Sequence, residues 1–144
     1  MITRVAALLI ALLLLTAAVL KWVDLPGRNS VFYVVIGGLE ALLALALVLY
    51  NKSWRAWVVL ALVVSVWMGF SFYVTLFGLP CSCLGGSITL PRGMSLGLNG
   101  LMFLGAWGIL HRYPTQPVRF KRLVWFFAAM FIIGFIISSL YYSN

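Results

Sequence analysis

Charge is what this chain of 144 residues has least of. Only 8% of its residues are Asp, Glu, Lys or Arg, against about 25% in an ordinary soluble domain. Acids are the scarcest: Asp24 and Glu40 are the two in the chain. Histidine occurs once, at His111, and cysteine twice, at Cys81 and Cys83. Each shortage excludes something. With so little polar surface, a soluble fold would leave broad apolar patches facing water. Two cysteines are too few for a disulfide-stapled secreted scaffold. A 65% hydrophobic composition is incompatible with disorder. What is left is an integral membrane protein with short loops.

The basic residues do not change that reading. The net charge is +8, which in a soluble chain would suggest nucleic acid. Here Lys and Arg fall between apolar blocks, where they meet lipid headgroups and set topology. The expected partner is the bilayer, and no nucleic acid is expected.

The apolar blocks predict an all-α polytopic membrane protein, one membrane domain over residues 1–144, with spans at 5–23, 31–50, 56–80, 93–110 and 123–142. The first block also reads as a signal peptide, with Arg4 as its basic start and Thr16-Ala17-Ala18 as small residues near a cleavage point. The retained-helix reading has Lys21 snorkel to the interface beside Trp22. The fourth block carries Gly93, Gly97, Gly100, Gly105 and Gly108, and its Gly93-x-x-x-Gly97 spacing permits close helix approach. With a cytoplasmic N-terminus, the inner side holds Arg4, Lys52, Arg55, Arg112, Arg119, Lys121 and Arg122, and the outer side Lys21, Arg28 and Arg92. This asymmetry follows the positive-inside rule for a bacterial inner (plasma) membrane. It puts the Cys81/Cys83 loop and the C-terminus outside.

Cys81 and Cys83 are separated by one residue, after Pro80 and before Gly85-Gly86. In an oxidising compartment such a pair forms a disulfide or cycles between dithiol and disulfide. A bridge across one intervening residue closes a small, strained ring, which suits exchange better than a structural bond. The competing readings are two small apolar residues falling together, a lipid attachment, or a metal site. Two thiolates need further ligands to hold a metal, and His111 belongs to the other face, so no metal is expected.

Lys21, Leu39-Glu40, the Cys81-Ser-Cys-Leu-Gly85 element and Asn99 together resemble the MauE (methylamine utilisation) family of small membrane proteins, grouped with the DoxX-like four-helix proteins. The family element reads Cys-x-Cys-Phe-Gly; Leu84 stands here in place of the aromatic. The resemblance covers roughly residues 5–110 and leaves the fifth helix outside it. It implies a four-helix DoxX-like bundle with a fifth C-terminal transmembrane helix, and a thiol-related role in maturing exported enzymes. It also implies Cys81 and Cys83 as the redox pair, with quinones linked to some DoxX-like relatives.

Glu40 stands in the middle of the second block. A lone charge there costs at least about 2.5 kcal/mol on insertion scales, so it is expected to be paired or protonated inside the bundle. Asn99 is a candidate partner, in a structural hydrogen bond, a proton path or a quinone-headgroup contact. Trp22, Tyr50, Trp54, Trp57 and Trp125, with Tyr141 and Tyr142, are expected at the interfaces. Trp67, Phe70, Phe72 and Tyr73 are expected to pack helices or to line a cavity.

Three functions follow as expectations. The first is a thiol-disulfide redox or maturation factor acting on an exported client through Cys81 and Cys83, reoxidised by a quinone or a partner thiol protein. The second is a noncatalytic subunit stabilising a larger complex, quinone-linked in one version, joined through the Gly-rich fourth helix and the apolar fifth. The third is a small oligomeric transporter using Glu40.

Overall fold

The computed structural model describes residues 2–23, 30–79, 91, 93–112 and 117–143. They form five helices: α1 (Ile2–Val23), α2 (Ser30–Tyr50), α3 (Trp54–Phe77), α4 (Met94–Leu110) and α5 (Pro117–Ser143). α1, α2, α3 and α5 contain apolar stretches long enough to cross a membrane, with mean hydropathy of 2.1 to 2.4. α4 has 17 residues and is about 25 Å long at 1.5 Å per residue. The protein is therefore an all-α, multi-pass membrane bundle of four long apolar helices and a shorter one.

Local chemistry sets the helix ends. α3 stops at Phe77 because Gly78 takes the left-handed conformation (φ 65°), its N–H returning to the Val74 carbonyl. The Leu79 N–H bonds the same carbonyl at 3.0 Å, so the helix is closed three residues before position 80. At its other end, Tyr50 and Ser53 close a tight turn from α2. The indole of Trp57 donates to the Asn51 carbonyl at 2.8 Å. Trp57 is fully buried by this arrangement; it belongs to the core, not to the membrane interface. α5 begins at Pro117, well ahead of position 123. Proline suits a first helical turn, where its missing N–H has no partner to lose.

Small residues face inward and large ones outward. On α1, Ala7, Ala11, Leu14 and Ala18 are buried while Leu8, Leu9, Leu12 and Leu15 are exposed. On α2, Gly37, Ala44 and Leu47 are buried while Leu39, Leu42 and Leu45 are exposed. Lipid is as apolar as leucine, so helices gain by close van der Waals approach rather than by hiding large side chains. Gly37 shows this directly, since a Cβ there would meet the Trp22 indole at 2.7 Å and the Ala18 carbonyl at 3.3 Å.

α1 pairs with α2, and α3 packs on both α4 and α5, while only narrow seams join α2 to α3 and α1 to α4. The tightest approach is between α3 and α5. A Cβ on Gly69 would overlap the Phe131 carbonyl, and a Cβ on Gly134 would overlap the Val66 carbonyl. By contrast, Gly97 has open space where a Cβ would stand, and Gly93 is a left-handed N-cap (φ 82°) near Thr75. Among the described residues, no neighbouring helix closes on Gly97, which is exposed. Nor is the fifth helix an appendage, for it is the most extensive partner of α3.

Candidate functional site

The hairpin of α1 and α2 carries the charged part of the site. Lys21 and Glu40 are 3% and 5% exposed, and the Lys21 Nζ donates to both carboxylate oxygens of Glu40, at 2.7 and 2.9 Å. This corrects the expectation that Lys21 reaches out to the interface. Its position in the helix explains the difference. Ala7, Ala11, Leu14, Ala18 and Lys21 recur at alternating steps of four and three, placing Lys21 on the stripe that packs against α2. Gly37, Glu40, Ala44 and Leu47 form the matching stripe. A helical side chain leans toward its own N-terminus, so each reaches along the hairpin toward the other. The pair is neutral as a unit, which removes most of the cost of a lone charge in lipid. The spacing of these two stripes was the available signal for the pair.

Asn99 does not meet Glu40. It donates to the Ser71 hydroxyl at 2.9 Å and to the Trp67 carbonyl at 3.4 Å, tying α4 to α3. Its carboxamide oxygen accepts no bond among the described residues.

Between these two polar groups lies a cavity of about 290 Å³ to which all five helices contribute. Lys21, Glu40, Ser71, Ser95 and Asn99 are its polar lining. Tyr33, Trp67, Phe70, Tyr141 and Tyr142 give it aromatic faces, and Leu13, Val66, Met102 and Gly134 its apolar end. Each helix contributes its half nearest one end of the bundle. At that end Trp22 rests on Gly37, Thr75 approaches Gly93, and Tyr73 stacks with Tyr142 at 6.5 Å. Tyr141 and Tyr142, expected at the interface, are half-buried and turn to Phe70 and to the cavity. Trp125 and Tyr50 are exposed on the outside of the bundle. Phe72 and Tyr73 pack against Phe131 and Phe135 of α5. His111 is exposed at the end of α4, edge-on to Trp107, and far along that helix from Ser95.

Cys81 and Cys83 lie outside the described residues, as do Asp24, Arg28 and Arg92. What the structure describes is where their segment begins and ends. It leaves α3 after Thr75–Gly78 and rejoins the helical core at Gly93, whose Cβ would stand 3.9 Å from the Thr75 methyl. No group of His, Cys, Asp or Glu with metal-ligating arrangement occurs among the described residues. Compared with family models, with curated proteins and with solved structures, the chain matches none.

Proposed function

We propose that this protein is a thiol-disulfide redox factor of the bacterial inner membrane, assisting the maturation of an exported client. In this reading the N-terminus is cytoplasmic and the Cys81/Cys83 segment lies on the outer face, as the distribution of basic residues favours. One observation supports the proposal: the described residues on either side of the stretch bearing both cysteines, Thr75 near the end of α3 and Gly93 at the start of α4, stand at the end of the bundle at which the polar and aromatic cavity lies. A protein of this kind needs both an exposed dithiol and a membrane-embedded route for its electrons.

The exchange is a two-step displacement. A client thiolate attacks one sulfur of the oxidised Cys81–Cys83 pair, forming a mixed disulfide and releasing the other cysteine as a thiolate. A second client thiolate resolves the mixed disulfide, leaving the client oxidised and the pair as a dithiol. Returning the pair to the disulfide removes two electrons and two protons, which a quinone takes up to become a quinol. The resemblance to MauE and DoxX-like proteins points the same way.

The test is differential thiol labelling of the native protein from each side of the membrane, read by mass spectrometry. It is expected to label Cys81 and Cys83 only from outside and to trap a mixed disulfide with a client. Normal client oxidation in a Cys81→Ser/Cys83→Ser strain would refute the proposal.

A second reading has one observation in its favour. Gly97, Leu101, Leu104 and Gly108 form an exposed stripe along α4, the surface a noncatalytic subunit would present to a neighbouring helix. Stoichiometric copurification with a partner that survives loss of both cysteines would establish it.

A further inference from the structure

The end of the bundle away from the cavity has a chemistry of its own. It gathers the start of α1, the turn from α2 to α3, the end of α4 and the start of α5. Arg4, Lys52, Arg55, Arg112 and Arg122 stand there, all exposed. Neither acid of the chain stands among them. Glu40 is held by Lys21 in the cavity wall, and Asp24 comes directly after α1 in the sequence.

Two of these arginines frame a groove. α3 packs on both α4 and α5, yet α4 and α5 do not pack on each other among the described residues. Rings bridge the gap instead. Phe127 of α5 stands edge-on to Phe103 at 5.5 Å and to Trp107 at 5.7 Å, and Phe103 stacks on Trp107 at 5.9 Å. Little more than one helical turn past Trp107 come His111, edge-on to its indole at 5.2 Å, and Arg112. Arg122 precedes Phe127 by a similar step on α5. Because α4 ends and α5 begins here, both arginines lie past the rings, toward the membrane surface.

In the other direction the groove stays open. Gly100 shares a face of α4 with Phe103 and Trp107, and nothing lies within 4 Å of where its Cβ would stand. At 1.5 Å per residue it lies about 16 Å along the helix from His111. That is close to half of a hydrocarbon core about 30 Å thick, the depth an acyl chain of one leaflet reaches.

A slot that is aromatic and apolar along its length and cationic at its mouth fits a ligand of two parts. A free anion meets only the mouth, where salt screens exposed charges. A helix from another protein is too broad for a gap that three rings already bridge. An acyl chain is thin enough to lie beside Gly100, and its phosphate then reaches the guanidinium groups, which suit phosphate oxygens by their forked geometry.

We propose that the groove between α4 and α5 seats one anionic phospholipid, its phosphate at Arg112 and Arg122 and an acyl chain along Trp107, Phe103 and Gly100. Orienting the chain needs basic charge at the surface but no groove; a seated lipid needs both. The site does not depend on the thiol chemistry proposed above.

The experiment is native mass spectrometry of the detergent-solubilised full chain titrated with dioleoylphosphatidylglycerol, and separately with dioleoylphosphatidylethanolamine. Phosphatidylglycerol is expected to be retained in preference to phosphatidylethanolamine, and added inorganic phosphate to leave it in place. Arg112→Gln/Arg122→Gln is expected to weaken retention about tenfold or more, as loss of charge-assisted hydrogen bonds does. Arg4→Gln/Lys52→Gln removes the same charge from the same end, away from the groove, and is expected to change retention little. Gly100→Leu fills the groove with every charge in place, and is expected to weaken retention as the arginine pair does. These variants alter exposed or unfilled positions, so each is expected to keep the unfolding transition of the native chain. Equal weakening by the two charge-removing pairs, or full retention in Gly100→Leu, would overturn the proposal in favour of unspecific attraction. Equal retention of the two lipids, or displacement by inorganic phosphate, would overturn it as well.

Discussion

Two interfaces in this bundle are built on opposite terms. Where α3 meets α5, the contact is backbone on backbone, with Gly69 against Phe131 and Gly134 against Val66, and no room for a methyl group. Where the α1–α2 hairpin meets the other three helices, the seams are narrow and the middle is a cavity edged by Lys21, Glu40 and Asn99. The first arrangement maximises dispersion contacts in a medium where no hydrophobic force drives helices together. The second forgoes those contacts, and a void in a protein interior costs stability in proportion to its volume. A chain that close-packs one interface and leaves polar groups around a gap in another separates its scaffold from its site. On this view α3 and α5 are the rigid wall, and the hairpin is the wall that carries the chemistry.

The largest effect is expected on the rigid wall. Gly69→Leu or Gly134→Leu forces a side chain into the carbonyl of the facing helix, and α3 and α5 must separate. A loss above about 4 kcal/mol is expected, in the range reserved for gross structural conflicts. It is read as loss of a cooperative thermal transition in detergent, or of recoverable protein. A Gly134→Leu variant melting like the native chain would erase the distinction between the two interfaces.

These glycines also show what the sequence reveals and what it hides. The five apolar blocks mark the five helices directly, because length and hydropathy suffice for that. The close approach is harder to read. A Gly-x-x-x-Gly spacing in α4 draws attention, yet Gly97 faces open space. α3 and α5 each contain a single glycine, and each lies against the backbone of the other helix, Gly69 at Phe131 and Gly134 at Val66. A contact needs one small residue from each partner, a relation between distant segments that no motif inside one helix expresses. Lys21 and Glu40 were hidden similarly. Each alone reads as an end-of-helix cation or an isolated acid; only the paired small-residue stripes of α1 and α2 bring them together. Cys81 and Cys83 remain a reading of the sequence, outside the described residues.

The hairpin wall is expected to respond differently, and in a way that sharpens the contrast. Lys21→Met leaves Glu40 buried without its partner, and Glu40→Met does the reverse. Removing one member of a buried ion pair costs about 3–5 kcal/mol. Replacing both by apolar residues of similar length removes the charges together, so the paired variant is expected to recover most of that loss. The check is a double-mutant cycle on thermal or denaturant unfolding in detergent, with the coupling between the two sites as the result. Additive losses would mean that the pair is not the unit described here. No such recovery is open to the glycine crossing, because a second large residue there only adds to the first conflict.

The smallest effect belongs to α4, and it bears on what the outer surface is for. Gly97 and Gly108 have nothing within 4 Å of where a Cβ would stand, so alanine at either meets no steric conflict. Alanine also restrains the unfolded chain, and Gly→Ala in a helix interior favours the helix by about 1 kcal/mol. Gly97→Ala and Gly108→Ala are therefore expected to be neutral or to stabilise the isolated chain by up to about that amount, measured by the same unfolding transition. A marked loss would mean that α4 sits closer to its neighbours than the structure places it. Leucine at both positions is the sharper probe, because it keeps the stripe apolar while closing the grooves beside Leu101 and Leu104. In lipid alone that change leaves the chain intact. If the stripe seats a neighbouring helix, the same change abolishes copurification of the partner while the unfolding transition stays where it was.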